Sequence, residues 1–345
     1  MSEENLIYGI DVHSRSLTSF PTEENRTIFC IASYTVKNDS KIYVLEADDR
    51  WSRLNGKEYN FDRSIGEVLY LNAHPKEKNL IFAECSMKVI SKKTCSAASI
   101  CHLDENKKIA KTLSLFSPEN SNFLLLKTIF DPTGNQLGII SENCLTICDV
   151  EDSGKELKQS WQKELPTKSK MNTFVWDKHS PNGIYLGCCS ELLLFDTRTN
   201  KDTLIFDNGF QRITAVDCNP ISPNRIVVGT EEGRLALWDT RKTDQPIIFK
   251  FDHQYPIWDL KYNNTYDQLV ISCGSDGKIF LHNFESAEKI DGKIESELIM
   301  ESEDSIYCCA WAGSDPFIFA GIGHDGRLIA SKVRKTLKYK LLSGN

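Results

Sequence analysis

The sequence predicts an all-β fold in which similar four-stranded sheets close into a ring. Four segments align without gaps at intervals of about 42, 44 and 49 residues, close to the 40 to 45 residues typical of repeated four-stranded units. Each is followed by a second apolar run, a polar turn and a third apolar run, and no long helical period competes with this pattern. Because one such sheet cannot bury both its faces, neighbouring sheets must cover them. The sequence therefore predicts a seven-bladed β-propeller.

The four aligned segments are predicted inner strands. They are Thr173–Trp176, Ala215–Cys218, Asp259–Tyr262 and Cys308–Trp311. The turns between the second and third runs contain Glu232-Gly233, Asp276-Gly277 and Asp325-Gly326. An acidic residue followed by glycine between two β-prone runs predicts a hairpin, since glycine tolerates the positive φ that such turns need.

Weaker copies of the unit fill the first half of the chain. Their runs are Leu6–Val12, Thr27–Ala32 and Lys41–Leu45; then Glu67–Asn72, Asn79–Glu84 and Ala97–His102; then Leu124–Phe130, Gln136–Ser141 and Cys144–Asp149. Seven units of about 43 residues use about 300 residues, so we expect one propeller domain over residues 1–345. The register of the first half is weakly defined, because residues 88–98 do not resemble a strand pair.

The two ends and two internal segments depart from the blade pattern. The chain begins on an inner-strand pattern at residues 7–12 and ends on a possible outer strand at 337–342. Residues 149–170 and 285–304 are hydrophilic, and the second segment carries eight acidic against two basic residues. Charged runs are usually solvated, so we expect both internal segments to be exposed loops.

Charge and cysteine usage restrict the class of protein. The 41 basic and 48 acidic residues give a formal net charge of −7, which argues against nucleic acid or an anionic membrane as a partner of the whole surface. The twelve cysteines include no Cys-x-x-Cys pair, and this pattern predicts buried thiols in a reduced, intracellular chain. Neither a secretory signal nor an apolar run long enough to cross a bilayer is present in the sequence.

Trp238-Asp239 is the dipeptide that gives the WD40-repeat family its name, and the chain resembles that family over nearly its whole length. In the family a His, a Ser or Thr, an Asp and the Trp form a hydrogen-bonded network that braces each blade. By this resemblance His253, Ser272 and Asp276 brace the sixth unit, in which His282 takes the place of the Trp.

The fifth unit keeps a different part of the same network. Thr230 and Trp238 are present, Glu232 replaces the Asp, and the His is missing. No unit carries the whole set, so the network can be carried over only in part. We expect His253 to brace a blade and not to serve catalysis or a metal, because buried polar groups in such sheets need partners.

The motifs of enzymes are missing from the sequence. The seven histidines show no zinc-ligand spacing, and neither a Gly-rich phosphate loop nor a Gly-x-Ser-x-Gly elbow is present. We therefore expect a non-catalytic protein without cofactor or metal, although fold alone does not decide function.

Further segments resemble a narrower family, the WD-repeat proteins that interact with the endosome-associated recycling protein (EARP) and Golgi-associated retrograde protein (GARP) complexes. The matching segments are Ile7–Gly9, Ser14–Thr18, Lys261–Asn263, Asp267–Leu269, Glu303–Tyr307, Trp311, Ser314–Pro316, Asp325–Leu328 and Leu337–Leu342. The acidic segment before Glu303 also lies where that family has an acidic loop.

This resemblance implies an adaptor that binds subunits of the EARP and GARP vesicle-tethering complexes. Such a protein supports endosomal recycling and retrograde transport to the trans-Golgi network, and it is expected to be a monomer outside the complex. It would be cytoplasmic, and its association with endosomes and trans-Golgi membranes would be peripheral and indirect, without direct membrane insertion.

A basic cluster near the end of the chain is the predicted partner-binding segment. It comprises Arg334, Lys335, Lys338, Tyr339 and Lys340, and affinity at protein interfaces usually depends on a few aromatic and Arg anchors. The alternative is a solvated edge strand whose lysines prevent edge-to-edge aggregation.

A second function class stays open. Trp238-Asp-Thr-Arg241 matches the WDxR box of propellers that serve as substrate receptors of cullin-RING ubiquitin ligases, and Phe195-Asp-Thr-Arg198 is a near copy one unit earlier. In this alternative, Arg198 and Arg241 contact the ligase adaptor. The box is short and arises readily wherever a strand ends in Trp-Asp before a turn.

Overall fold

A computed structural model describes nine-tenths of the chain as strands, turns and one helix. The described residues are 5–22, 26–35, 39–90, 93–118, 124–150, 157–165, 170–207, 209, 211–285 and 293–343. They form a seven-bladed β-propeller, as predicted. The sheets are numbered 1 to 7 in the order in which their inner strands occur along the chain.

The first three sheets lie in the half of the chain with the weaker pattern. Sheet 1 contains β2 (Ser14–Ser19), β3 (Ile28–Ser33), β4 (Lys41–Ala47) and β5 (Leu54–Phe61). Sheet 2 contains β6 (Glu67–Ala73), β7 (Ile81–Ile90), β8 (Lys93–Asp104) and β9 (Ile109–Phe116). Sheet 3 contains β10 (Leu125–Phe130), β11 (Gln136–Ser141), β12 (Cys144–Asp149) and β13 (Lys158–Glu164).

The last four sheets repeat the same order. Sheet 4 contains β14 (Met171–Trp176), β15 (Gly183–Cys188), β16 (Glu191–Asp196) and β17 (Lys201–Asp207). Sheet 5 contains β18 (Ile213–Cys218), β19 (Arg225–Thr230), β20 (Arg234–Asp239) and β21 (Ile248–Phe251). Sheet 6 contains β22 (Ile257–Tyr262), β23 (Leu269–Gly274), β24 (Lys278–Asn283) and β25 (Glu295–Glu301). Sheet 7 contains β26 (Ile306–Trp311), β27 (Ile318–Gly323), β28 (Arg327–Lys332) and β1 (Leu6–Gly9).

The first strand of the chain closes the ring as the outer strand of the last sheet. β1 runs antiparallel to β28, with Leu6 opposite Ala330 and Gly9 opposite Arg327. The interpretation of residues 7–12 as an inner strand is therefore wrong, because the inner strand of sheet 1 begins only at Ser14. This pairing covers the outer side of β28 and one side of β1, so fewer backbone groups of the ladder stay unpaired.

The segment at 337–342 is also not a strand. Lys335–Ser343 form the helix α1 after β28. Leu337 and Leu341 lie one helical turn apart and pack against the apolar cluster between sheets 6 and 7, as side chains four residues apart on a helix do. An edge strand at this place is thus excluded by the structure.

Seven apolar clusters fill the seven interfaces between adjacent sheets. Each cluster draws buried side chains from two neighbouring sheets, and the one between sheets 7 and 1 contains Leu6, Leu17, Phe29, Ile322 and Leu328. Burial of these faces supplies the main driving force for folding, at about 25 cal/mol per Å² of apolar surface. The ring is therefore held together by sheet-to-sheet packing.

Two segments of the first half differ from the prediction. The residues around 88–98 form the long hairpin of β7 and β8, with Met87 opposite Ser96 and Val89 opposite Thr94. The outer strands β5 and β9 pair in parallel through Asn60 with Ile109 and Phe61 with Ala110, which joins sheets 1 and 2 at their outer edge.

The segments predicted as exposed loops each contain an outer strand. β13 lies within 149–170, and β25 lies within 285–304. β13 is mostly exposed and β25 is partly buried, and Trp161 and Ile299 of these strands pack against apolar clusters. Residues 151–156, 166–169 and 286–292 of these segments lie outside the described residues.

The predicted hairpin turns have the backbone that their glycines require. Gly233, Gly277 and Gly326 have φ values of 81°, 71° and 80°. Other residues rarely adopt such values, and a Cβ atom at Gly277 would also lie 2.4 Å from the Ser302 carbonyl oxygen.

Candidate partner-binding surfaces

The order of strands gives the ring two distinct ends. Neighbouring strands are antiparallel, so the first and third strands of each sheet end at the same end of the ring. The turns that follow these two strands therefore lie at that end. α1 follows β28 at this end, which we call the helix face. The other end carries the starts of the inner strands, and we call it the bulge face.

The predicted partner-binding residues lie on or beside α1, and most of their charges have partners within the chain. The Arg334 guanidinium pairs with Glu297, and the Lys340 ammonium lies 2.7 Å from Glu285. The Lys338 ammonium lies 4.5 Å from the centre of the Phe317 ring, a cation–π contact. These pairs attach the helix to sheets 6 and 7.

Two large apolar side chains of α1 are exposed to solvent among its polar ones. Tyr339 is 66% exposed and Leu342 is 57% exposed; they lie three residues apart, on one side of the helix. Lys335 is exposed at the first turn. An exposed Tyr next to an exposed Leu is the type of side chain that anchors protein interfaces. Of these two, only Tyr339 belongs to the predicted cluster; Leu342 lay within the segment assigned to an edge strand.

The two WDxR-like boxes also end at the helix face. The Arg241 guanidinium donates to both carboxylate oxygens of Asp239, at 3.0 and 2.8 Å, and Arg225 also lies 2.6 Å from Asp239. These hydrogen bonds, those from Arg241 first, hold the pKa of Asp239 well below its usual range. Arg198 is more exposed and lies 3.7 Å from Asp196.

The polar network of sheet 6 brings together the residues that the family pattern selects. The His253 Nδ1 lies 2.9 Å from Asp276 Oδ1, and its Nε2 lies 2.8 Å from Ser272 Oγ. Ser272 Oγ lies 2.7 Å from His282 Nε2, and His282 Nδ1 reaches Ser296 Oγ at 2.9 Å. His282 thus occupies the place of the Trp and extends the chain of hydrogen bonds to the outer strand.

This network has clear electrostatic consequences. Burial, and then the nearby His253 and Lys250, hold the pKa of His282 well below its usual value, so the ring is neutral near pH 7. Burial opposes ionisation of Asp276, but hydrogen bonds from His253 lower its pKa overall. All of these contacts lie within sheet 6 and its adjoining loops. The network therefore connects the strands of one sheet to each other, as a structural brace does.

In sheet 5 the corresponding residues lie apart from such a network. Thr230 is fully buried and accepts a hydrogen bond from the Arg234 backbone N–H at 3.2 Å. Trp238 stacks on Phe206 of sheet 4, with ring centres 3.8 Å apart. Trp238 therefore acts mainly through packing between two sheets, because a large aromatic ring buries much apolar surface there.

The inner strands share one irregularity that the sequence did not reveal. Each has a register shift at its second or third residue, and the extra residue of each bulge lies on the bulge face. These residues, which we call the rim, are Arg15, Leu69, Leu126, Asn172, Thr214, Trp258 and Tyr307. All seven are partly or largely exposed, and bulges commonly reorient side chains towards functional surfaces.

Below the rim the channel of the ring is lined by charged, polar and apolar side chains. A cavity of about 510 Å³ opens on the helix face and contacts every inner strand, through residues that include Thr18, Asn72, Ile129, Val175, Asp217, Lys261 and Ala310. Within the channel Lys261 pairs with Asp259 at 3.0 Å, and Lys178 pairs with Asp217 at 3.2 Å.

Most thiols of the chain are buried, and the described part of the chain has no metal-ligand cluster on either face. Among the described ranges, no group of three His, Cys, Asp or Glu side chains is arranged to hold a metal ion. Ten of the twelve cysteines are buried, and burial raises the pKa of the Cys101, Cys148 and Cys188 thiols to about 12, which disfavours the nucleophilic thiolate. In the part of the chain that the structure describes, the helix is too short and too polar to pass through a bilayer.

Comparison with known proteins identifies the family. Residues 2–282 match the family described as EIPR1 beta-propeller. The chain belongs to this family. It is 28% identical to the Caenorhabditis elegans EARP-interacting protein 1, with 98% of this chain and 99% of the relative covered. It is 24% identical to the human EARP and GARP complex-interacting protein 1, with 98% of each chain covered.

A plant relative extends the range of the comparison. The Arabidopsis thaliana WD repeat-containing protein DWA2 is 23% identical, with 96% of this chain and 97% of the relative covered. The similarity therefore extends over nearly the whole of each chain. The sequence-based assignment to the WD40 repeats and to the narrower family is confirmed.

Proposed function

We propose that this EIPR1-family propeller is a non-catalytic adaptor that binds the EARP and GARP tethering complexes. The observation that carries the proposal is the match over 98% of the chain to relatives named for interaction with these complexes. A rigid ring with two exposed ends suits this role, because several partners can dock on it at once. The adaptor would act in the cytoplasm, reach endosomal and trans-Golgi membranes through its partners, and support recycling and retrograde transport.

We place one partner contact on the exposed side of α1. Tyr339 and Leu342 are the exposed large hydrophobic side chains of this helix, whereas Arg334, Lys338 and Lys340 hold the helix to the ring. An aromatic anchor on a helix that is itself fixed to the ring loses little conformational entropy on binding. Lys335 lies beside this contact and adds a basic group at its edge.

Co-precipitation at endogenous expression tests the proposal. The intact protein should recover EARP or GARP subunits, and failure to recover any subunit would reject the proposed function. The double variant Tyr339→Ala/Leu342→Ala should recover at least tenfold less, since loss of two interface anchors typically exceeds about 1.4 kcal/mol. Leu204→Ala is the matched control, because Leu204 is 53% exposed on a different sheet and should leave recovery unchanged.

A further inference from the structure

The rim on the bulge face is chemically uneven. Arg15, Trp258 and Tyr307 come from the adjacent sheets 1, 6 and 7, whereas Leu69, Leu126, Asn172 and Thr214 come from the other four. Trp258 stacks on Tyr307 with ring centres 5.7 Å apart. One side of the opening therefore combines a cation with aromatic surface, and the other does not.

Arg15 contacts two aromatic rings and makes no ion pair with any residue that the structure describes. Its guanidinium carbon lies 4.8 Å from the centre of the Tyr307 ring and 5.6 Å from that of Tyr34. Glu67 and Arg15 both interact with the Tyr34 hydroxyl. The Arg15 Nε is buried without a hydrogen-bond partner among the described residues. In contrast, Arg26 lies 2.7 Å from Glu46.

Stacking of this kind prepares a guanidinium for an incoming anion. Contact with an aromatic ring holds the guanidinium plane, and the N–H groups at its edge match the two oxygens of a carboxylate. An arginine held in place before binding also loses less side-chain entropy when the ligand arrives.

Lys127 repeats this chemistry one residue below the rim. It is 8% exposed, its ammonium contacts Thr173 Oγ1 at 3.2 Å and the Tyr70 ring at 4.9 Å, and no described carboxylate pairs with it. The other channel lysines, Lys178 and Lys261, each have an aspartate. Burial, and then Lys261, lower the pKa of Lys127 to about 8, against the opposing influence of Asp259 and Asp217, so most of it is charged at neutral pH.

We propose that the bulge face binds an acidic segment of a partner protein, with a carboxylate on Arg15, a further contribution from the charge of Lys127, and apolar neighbours on Trp258. A buried or stacked cation without a counter-charge is costly, and an incoming carboxylate offsets that cost. The net charge of −7 disfavours an extended anionic surface such as a bilayer or nucleic acid. A single carboxylate beside aromatic residues fits the local charge better.

Fluorescence anisotropy with the full-length protein tests this site. The probe is a short fluorescein-labelled peptide of glutamates with one Leu and one Phe, and the matched peptide has glutamine in place of every glutamate. The glutamate peptide should bind more tightly, with an affinity that falls as salt rises. Arg15→Gln should weaken binding about tenfold, as loss of a charge-assisted hydrogen bond does. Equal binding of the two peptides, or an unchanged affinity of Arg15→Gln, would overturn the proposal.

Two more variants keep the result interpretable. Lys127→Met should weaken binding while the melting temperature is maintained, because replacing a buried charge by an apolar side chain is often neutral for stability. Arg198→Gln removes an exposed arginine on the helix face and should leave the affinity unchanged. If phosphatidylserine vesicles bind in an Arg15-dependent way and the peptide does not, the ligand is a lipid headgroup and the peptide proposal is rejected.

Discussion

The indole N–H of Trp311 donates a hydrogen bond to the backbone carbonyl of Lys261 in the neighbouring sheet, at 3.0 Å. Trp176 of sheet 4 makes the same bond to the Ile129 carbonyl of sheet 3, three interfaces away in the ring, also at 3.0 Å. In both cases the Trp is the last residue of an inner strand, and the hydrogen bond fixes that strand against the preceding sheet. The bond satisfies a carbonyl at the edge of the channel while the ring packs into the apolar interface.

Trp311→Ala should destabilise the protein by roughly 3 to 5 kcal/mol, because Trp311 is 7% exposed and packs on Phe319 and large-to-small changes of buried aromatics cost this amount. Chemical denaturation followed by circular dichroism measures the change. Trp311→Phe keeps most of the packing but loses the hydrogen bond, so its loss should be smaller. A melting curve equal to that of the parent chain would show that Trp311 does not pack as described.

Leu6→Ala should cost about 2 to 5 kcal/mol, because Leu6 is 5% exposed in the cluster that joins sheets 7 and 1. Ile7 lies next to it on the same strand but is 63% exposed, so Ile7→Ala should change stability by less than about 0.5 kcal/mol. Thermal unfolding of the two variants compares the faces of β1. Equal losses would contradict closure of the ring by this strand.

The stability of the protein should fall as the pH drops below about 6.5, in part through His282. Its pKa is lower in the folded state than in the unfolded chain, so the unfolded state binds more protons in this range and acid favours unfolding. One such group changes the unfolding free energy by at most about 1.4 kcal/mol per pH unit. His282→Gln should show a shallower decline in urea titrations between pH 6.5 and 5. An unchanged slope would mean that His282 is not the group responsible.

Arg63→Ala should destabilise sheet 2 by about 3 kcal/mol, the lower end of the range for breaking a buried ion pair. The Glu84 carboxylate is fully buried and pairs with Arg63, which is one-quarter exposed. Burial disfavours the charged form of Glu84 and raises its pKa. Without Arg63, the buried Glu84 carboxylate would lose its counter-charge. Glu84→Gln combined with Arg63→Ala should recover part of the loss, and a double variant no more stable than the single one would argue against this account.

Arg198→Ala combined with Arg241→Ala tests the ubiquitin-ligase alternative. If the WDxR-like boxes contact a cullin adaptor, affinity purification of the parent chain recovers that adaptor and the double variant does not. We expect no adaptor with either chain, because Arg241 is bound to Asp239 within its own box. Recovery of a cullin adaptor that depends on both arginines would contradict this expectation.

The inner strands and hairpin turns were predictable because their signals are local. Asp276-Gly277 and Asp325-Gly326 adopt the positive φ that their sequence indicates, and apolar runs such as Ile226–Thr230 are buried from end to end or nearly so. The outer strands β13 and β25 were not predictable, because β13 is mostly exposed and polar and β25 mixes charged and apolar residues without a regular alternation.

The two ends of the chain show a different limit. Leu337, Tyr339 and Leu341 alternate as a strand would, but Leu337 and Leu341 also fit one side of a helix, and only packing decides between them. The partner of β1 lies at the far end of the sequence, where no local pattern can identify it. The cations of the bulge face were not predictable for the same reason, because the contacts that distinguish Arg15 and Lys127 come from side chains on other sheets.

The pairing of β1 with β28 also governs when the protein can finish folding during synthesis. Leu6 leaves the ribosome early, whereas Ala330, its partner in the ladder, emerges near the end of translation. Until then the apolar interface between the first and last sheets stays open, and the early sheets must persist without it. The nascent chain therefore passes through a long interval in which a holding chaperone would protect that seam from aggregation.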